Sequence, residues 1–177
     1  FMWYNASDFV NFGAKANDMW KYKVPVFIRA IAMEGGIGPV AGSSHHGMIT
    51  RMPGIPVCAP MTPQEYNKVW EWFMNHDVPL YVSEHRRSFS INYEMPDLIH
   101  NIADITLYPI SATRLDTEKA VEILKRENIN CNIVHLLWLK PFYTNLRVIQ
   151  PLLNSRYGGL VLDTDFENGV SKCIAYD

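Results

Sequence analysis

The sequence predicts an α/β protein of two three-layer α/β/α subdomains, each with a mostly parallel sheet. Short apolar segments rich in β-branched residues alternate with helical periodicity in both halves of the chain, which is the pattern of βαβ units. Two of these segments, VPVFIRAIA and ITLYPI, are almost continuously hydrophobic, as expected of parallel strands buried on both faces. The segment 85–102 has no steady period and contains Pro96, so we expect a linker between the subdomains there.

Four elements are predicted before the linker. They are a strand at 24–32, a short strand at 53–60, a helix at 61–77 and a strand at 78–84. Thr62 is suited to cap the helix, Pro63 fits its first turn, and Glu65 completes a capping box with Thr62. Apolar residues recur along this helix at intervals of three and four, which predicts a buried stripe with Trp70 in the core and Trp72 at its rim.

Five elements and a final helical turn are predicted after the linker. They are a strand at 103–111, a helix at 115–128, a strand at 129–141, a helix at 142–155 broken near Pro151, and a strand at 157–165, after which the chain runs into a further helix. In the first of these helices Ala120, Ile123 and Leu124 share one face, which we expect to be buried.

Composition excludes several classes of protein. The 177 residues are 48% hydrophobic and 19% charged, with a formal net charge of −2, so intrinsic disorder and general nucleic-acid binding are disfavoured. No apolar run approaches the ~20 residues that a membrane-spanning helix needs. Cys58, Cys131 and Cys173 form no C-x-x-C motif, which favours a reducing compartment, the cytoplasm or an organelle matrix.

A glycine-rich loop carries the strongest chemical signal. It spans residues 33–47, directly follows the strand at 24–32, and contains the adjacent histidines His45 and His46. Ligands in open α/β sheets bind beyond the carboxyl ends of strands, and imidazoles titrate near neutral pH, which suits proton transfer. The alternative, a mobile surface loop with solvated histidines, is the one that spacing alone favours. Adjacent side chains seldom converge on one ion, so no metal site is predicted.

Two further groups of residues have alternative interpretations. Aromatic side chains near the start, including Tyr4 and Phe9, suit stacking on a planar ring, although core packing is their commoner role. The run Glu84-His85-Arg86-Arg87 is able to hold an anionic group, or it is a solvated strand end. The chain has no phosphate-loop, dinucleotide-binding or nucleophile-elbow pattern.

Four segments occur in an order that resembles a known family. GPVAGSSHHG, MPGIPVCAPMTPQEY, VPLYVSEHRRSF and ADITLYPIS together resemble the β-subunit of thiamine-diphosphate-dependent 2-oxo acid dehydrogenases and, more broadly, the second half of the transketolase superfamily. The resemblance covers nearly the whole chain. It implies a pyrimidine-binding-like domain at 1–84 without its N-terminal part, a linker at 85–102, and a transketolase C-terminal-like domain at 103–177 without its C-terminal part.

The resemblance also implies a cofactor and partners. The cofactor is thiamine diphosphate, shared with a partner chain that holds its diphosphate and Mg²⁺, because the family's Gly-Asp-Gly motif is absent from this sequence. The partner is an α-type subunit or a second copy of this chain, and a lipoyl-bearing acyltransferase is a further expected partner. The implied reaction is decarboxylation of a 2-oxo acid and transfer of the acyl group, with no nucleic acid or membrane involved.

Site residues follow from the same resemblance. His45 aligns with the histidine that contacts substrate or acyl acceptor, and His46 is the second choice for this catalytic role. Tyr4 and Phe9 are alternatives for the ring that stacks on the pyrimidine, and Met2 is expected to line the same pocket.

Two other functions remain open at this stage. One is a transketolase-like or deoxyxylulose-phosphate-synthase-like half, for which Arg29, Arg51 and Arg87 are the basic residues available to sugar phosphates. The other is a non-catalytic module that retains the fold, because the family's pyrimidine-binding glutamate has no counterpart in this sequence.

Overall fold

A computed structural model describes residues 5–33, 36–38, 42–165 and 168–176. The strands are β1 (Phe27–Ala32), β2 (Val57–Cys58), β3 (Leu80–His85), β4 (Ile105–Pro109), β5 (Cys131–Ile133), β6 (Trp138–Lys140) and β7 (Gly159–Leu162). The helices are α1 (Lys15–Trp20), α2 (His46–Thr50), α3 (Pro63–Met74), α4 (Thr113–Arg126), α5 (Leu146–Leu153) and α6 (Val170–Tyr176), with a π-helical segment at Asp8–Ala14 and a 3-10 helix at Arg86–Ser90. The mixed α/β class predicted from the sequence is confirmed.

The first sheet has the order β1-β3-β2-β6. β3 pairs in parallel with β1 and with β2, whereas β6 pairs antiparallel with β2. Every residue of β3 is buried. Among the described strands of this sheet, β1 is an edge strand, and its residue Ile31 is 45% exposed. The prediction that this strand is buried on both faces is therefore wrong.

The second sheet has the order β5-β4-β7 and is parallel throughout. Its central strand β4 is buried over most of its length, as its continuous apolar run predicts. The single strand predicted at 129–141 is wrong: β5 joins this sheet, and β6 joins the first one. The strand is interrupted at His135, whose backbone N–H donates to the Asp97 carboxylate at 2.9 Å instead of to a neighbouring strand.

Helix α3 begins as predicted but packs through a narrower stripe. The capping box of Thr62 and Glu65 is present. Val69 is 1% exposed, but Trp70 is 52% exposed, so the prediction of Trp70 in the core is wrong. The Trp72 ring instead packs against Trp138, with centroids 5.1 Å apart, because the helix turns this side toward β6.

Helix α4 buries a different face from the one predicted. Arg114, Thr117 and Val121 are its buried residues, whereas Ile123 is 60% exposed and Ala120 is also exposed. Arg114 is buried because its guanidinium donates to the Glu65 carboxylate and to His135. Because this buried face includes an arginine and a threonine, hydrophobic periodicity alone does not identify it.

One core is shared by the two sheets. Ile55 and Tyr81 from the first sheet region belong to the same buried cluster as Tyr108 and Val134 from the second. The two sheets therefore share a core, and the domain boundary at 85–102 stays a prediction. Within the described part of the chain, no helix has the length and apolar character needed to cross a membrane.

Candidate functional site

The glycine-rich loop leaves the carboxyl end of β1, as predicted, and returns at α2. The Met33 N–H donates to the Gly42 carbonyl at 2.9 Å, and the Gly42 N–H donates to the Gly38 carbonyl, also at 2.9 Å. These bonds bring both ends of the loop together beside the sheet. The histidine pair follows this closure, at the edge where α/β proteins bind ligands.

His46 is fully buried, and both ring nitrogens are engaged. Its Nδ1 lies 2.7 Å from the Ser44 hydroxyl and 2.9 Å from the Ser83 hydroxyl. Its Nε2 lies 2.9 Å and 3.1 Å from the two carboxylate oxygens of Asp163, and 3.6 Å from Asp165. The ring therefore joins the loop, β3 and the carboxyl end of β7.

The hydrogen-bond partners determine how this ring is protonated. A carboxylate only accepts hydrogen bonds, so Nε2 carries a proton and donates it to Asp163. Hydroxyl groups are able to donate as well as accept, so in the neutral ring Nδ1 accepts from the flanking serines. The serine, histidine and carboxylate order is that of a nucleophilic triad. Ser44, His46 and Ser83 are all buried, so the arrangement ties the loop to β3 and to the end of β7, and a catalytic role of His46 stays a prediction.

The backbone of Gly47 also contacts the segment after β7. Its N–H donates to Asp165 Oδ2 at 2.5 Å. A Cβ atom at this position would collide with the Asp165 carboxylate and with Gly169 Cα. The glycine in the sequence SHHG is thus required by the close approach of the segment after β7.

His45 occupies a different environment from its neighbour. It is the N-cap residue of α2 and is half-buried. Its carbonyl oxygen accepts the Met48 N–H at 3.2 Å. Of the two predicted catalytic histidines, His45 is the one that is partly exposed as a residue, although its ring Nδ1 atom is buried.

The predicted ring-binding residues are only partly described. Met2 and Tyr4 lie outside the described residues. Phe9 lies in the π-helical segment and packs, half-buried, against the shared core together with Val10 and Ile28. Phe9 thus has a core-packing contact, and its stacking on a pyrimidine ring stays a prediction.

The Glu84–Arg87 run is not a solvated strand end. Glu84 and His85 are 2% exposed. Arg29 donates two hydrogen bonds of 2.9 Å to Glu84, and Arg87 donates two bonds of 3.0 and 3.1 Å to Asp116. The guanidinium of Arg29 is therefore paired with a buried carboxylate, and that of Arg87 is paired with an exposed one.

Sequence reasoning missed the acidic partners of His46. One ring nitrogen and one carboxylate oxygen each from Asp163 and Asp165 lie within 4.8 Å of one another, and these are donor types that bind divalent cations. The available signal was positional, because both aspartates lie among the last three residues of the strand predicted at 157–165, at its carboxyl end. The fold was needed to bring them to a histidine 117 residues away.

Comparisons with known proteins agree with this architecture. No family model matches the chain. The pyruvate dehydrogenase E1 component subunit beta of Mesostigma viride is 24% identical over 136 residues, and that of Chlorokybus atmophyticus is 25% identical over 136 residues. Each alignment covers 68% of this chain, and the chain spans about two fifths (41% and 40%) of these relatives.

Solved structures show the same fold. A transketolase from Pichia stipitis superimposes with a TM-score of 0.69 over 99% of this chain and 30% of that one, at 13% identity. A split-gene transketolase, described as an inactive β4 tetramer, gives 0.67 over 87% of this chain and 53% of that one, at 16% identity. The resemblance predicted from the sequence is thus confirmed: the chain is similar in sequence to pyruvate dehydrogenase E1 β subunits and has the α/β fold of the transketolases.

Proposed function

We propose that this chain contributes the ring-binding side of a thiamine diphosphate site and acts as the β-type part of an enzyme that decarboxylates a 2-oxo acid and transfers the acyl group. The observation that carries this proposal is the sequence similarity to pyruvate dehydrogenase E1 β subunits. The position of the histidine pair, beyond the carboxyl end of β1, supports it. Bound thiamine diphosphate supplies a carbanion for attack on the 2-oxo carbon and an electron sink for the charge that follows.

In this proposal the chain contributes the ring side of such a site and not the diphosphate side. The Gly-Asp-Gly motif that holds the diphosphate in the family is absent from the sequence. His45 is a partly exposed residue at the end of a glycine-rich loop. An α-type subunit or a second copy of this chain would therefore hold the diphosphate and Mg²⁺.

The two histidines have separate roles in this proposal. The His45 imidazole holds or moves a proton at the substrate or at the acyl acceptor. His46 positions its neighbour, because its ring is tied to Ser83 and Asp163 at 2.9 Å each. A fixed ring at residue 46 restricts the backbone of residue 45 and orients its side chain.

The available arginines favour a 2-oxo acid over a sugar phosphate. Arg29 pairs with Glu84, Arg87 pairs with Asp116, and Arg51 donates to the Asn168 carbonyl. A transketolase-like half would need cationic groups that are not already engaged. A lipoyl-bearing acyltransferase as acyl acceptor, and the cytoplasm or an organelle matrix as compartment, belong to the same proposal.

The test is turnover by the assembled complex, purified through a tag on this chain. Pyruvate and branched 2-oxo acids are supplied with an artificial electron acceptor. We expect His45→Ala to lower kcat by about 10²-fold, the usual contribution of a positioned acid or base. His76→Ala, at an exposed histidine of the α3 end, is the matched control and should leave kcat unchanged.

Three outcomes would contradict the proposal. An unchanged rate in His45→Ala would remove the role given to this residue. Turnover of keto-sugar phosphates in place of 2-oxo acids would favour the transketolase-like alternative. A complex that turns over neither class would favour a non-catalytic module.

A further inference from the structure

A cavity lies beside the start of α3, apart from the histidine pair. Its volume is about 530 Å³, and it lies between the start of α3, the segment before β4, and the chain leading into β6. It shares no residue with the His46 site. Its ionisable side chains are Glu65, Lys68, Glu94, Asp97, His135 and Arg147; Thr62 and Gln64 are also polar, and apolar side chains, including Leu137 and Trp138, complete the lining.

The carboxylate groups of this lining are already engaged. Glu65 accepts from the Met61 and Thr62 N–H groups and from Arg114. Glu94 accepts the Gln64 N–H at 3.0 Å. Asp97 accepts from Arg147 at 2.6 and 2.8 Å and from the His135 N–H. The three carboxylates therefore have internal donors.

The donor groups are not all engaged. Arg114 Nε donates to His135 Nδ1 at 3.1 Å, so Nδ1 is unprotonated and the neutral ring carries its proton on Nε2. His135 is 2% exposed, and among the described residues its Nε2 has no hydrogen-bond partner. A buried donor of this kind, left unpaired, costs about 1–3 kcal/mol.

One cation, Arg114, adjoins this ring, and a second, Lys68, lines the same cavity. Arg114 is fully buried, and its Nη2 also has no acceptor in the described part of the chain. Lys68 is exposed at the cavity wall. Glu118 faces His135 Nε2 at 4.0 Å, which is too long for a hydrogen bond, and its side chain is 38% exposed. Among the described residues, the buried groups without a partner at or next to this cavity are thus the donors His135 Nε2 and Arg114 Nη2 and the hydroxyl of Thr62, which both donates and accepts.

We propose that this cavity binds the oxyanion of a small ligand, a carboxylate or a phosphate group, through His135 Nε2 and Lys68, with Leu137 and Trp138 against the ligand's apolar part. The carboxylates of Glu65, Glu94 and Asp97 hold their donor groups in place around the cavity. The ligand supplies the acceptor that the buried donors lack. The site is independent of the proposed thiamine diphosphate chemistry.

The experiment measures binding of two probes, inorganic phosphate and acetate, by calorimetry and by thermal shift at constant ionic strength. His135→Asn keeps an acceptor for Arg114 Nε near the Nδ1 position and removes the Nε2 donor. Lys68→Gln removes the exposed cation without touching the core. Lys125→Gln, on the exposed last turn of α4, is the control.

We expect saturable binding of one or both probes, and the stronger probe identifies the ligand group. His135→Asn and Lys68→Gln should each weaken it at least about tenfold, Glu118→Gln should strengthen it by removing a nearby negative charge, and Lys125→Gln should not change it. The proposal is overturned if neither probe binds saturably, or if Lys68→Gln and a folded His135→Asn bind as the wild type does. Weaker binding in Glu118→Gln would also contradict it.

Discussion

The two adjacent histidines differ in what surrounds their rings. His46 is held at both nitrogens by Ser44, Ser83 and Asp163, whereas His45 is half-buried at the start of α2. The sequence identified the pair and its position after β1. It could not separate the two roles, because the partners of His46 come from β3 and from the end of β7.

Removal of the His46 ring should destabilise the protein. His46→Ala leaves the Asp163 carboxylate, 2% exposed, without the hydrogen bond that His46 Nε2 donates to it. We expect the free energy of unfolding to fall by about 3 kcal/mol, as for a broken buried pair. Urea denaturation measures the change.

The exposed ion pair Arg87–Asp116, with side chains 39% and 63% exposed, provides the control. Arg87→Ala should cost less than about 1 kcal/mol. Equal losses in the two variants would show that the His46 contacts contribute no more than a surface pair.

His135 predicts how stability depends on pH. Burial, and then the charge of Arg114, lower its pKa from 6.5 to about 3. Between these values the unfolded chain binds a proton that the folded chain does not, so the stability due to neutral His135 is present above pH 6.5 and is lost as the pH falls toward 3.

Denaturation midpoints of the wild type and of His135→Asn, measured across this pH range, test the prediction. The wild type should lose stability more steeply than the variant as the pH falls. Parallel curves, or an NMR titration of the His135 ring near its ordinary pKa, would contradict the burial of a neutral imidazole.

At the scale of elements, helix α3 shows what periodicity predicts well and what it does not. Its beginning followed from Thr62, Pro63 and Glu65, because capping is local chemistry. Which tryptophan packs inward depends on the neighbouring strand. The buried contact of Trp72 is Trp138 on β6, a strand that the sequence pattern assigned to a different place.

Substitutions in α3 should separate the buried position from the exposed one. Val69→Ala, at a side chain 1% exposed, should lower the free energy of unfolding by about 2 kcal/mol. Trp70→Ala should lower it by about 1 kcal/mol, because Trp70 is 52% exposed and keeps mainly an edge-to-face contact with Phe27. Urea denaturation of both variants checks the order, and a larger loss at Trp70 would contradict this packing.

The strands were predicted best where burial is continuous. β4 lies between two parallel neighbours and reads as an uninterrupted apolar run. The 129–141 run is equally apolar, yet it divides between two sheets at His135. A one-dimensional pattern records that both parts are buried but not which sheet each part joins.

At the scale of the whole molecule, the chain joins two sheets through a shared core and a polar contact. The core contains residues from both sheet regions, and the His46–Asp163 contact spans 117 positions in sequence. The order of segments was sufficient to identify the transketolase-like fold before the structure was known. Contacts between residues far apart in sequence, such as that of Arg114 with Glu65 over 49 positions, were not predictable because they depend on how the second sheet packs against the first.

The central claim is that this chain supplies one side of a coenzyme site and needs a partner for the other. Calorimetric titration with thiamine diphosphate and Mg²⁺, on the chain alone and on its assembled complex, tests this most directly. The account predicts saturable binding by the complex and none by the chain alone. No binding by the complex, or equally tight binding by the isolated chain, would contradict it.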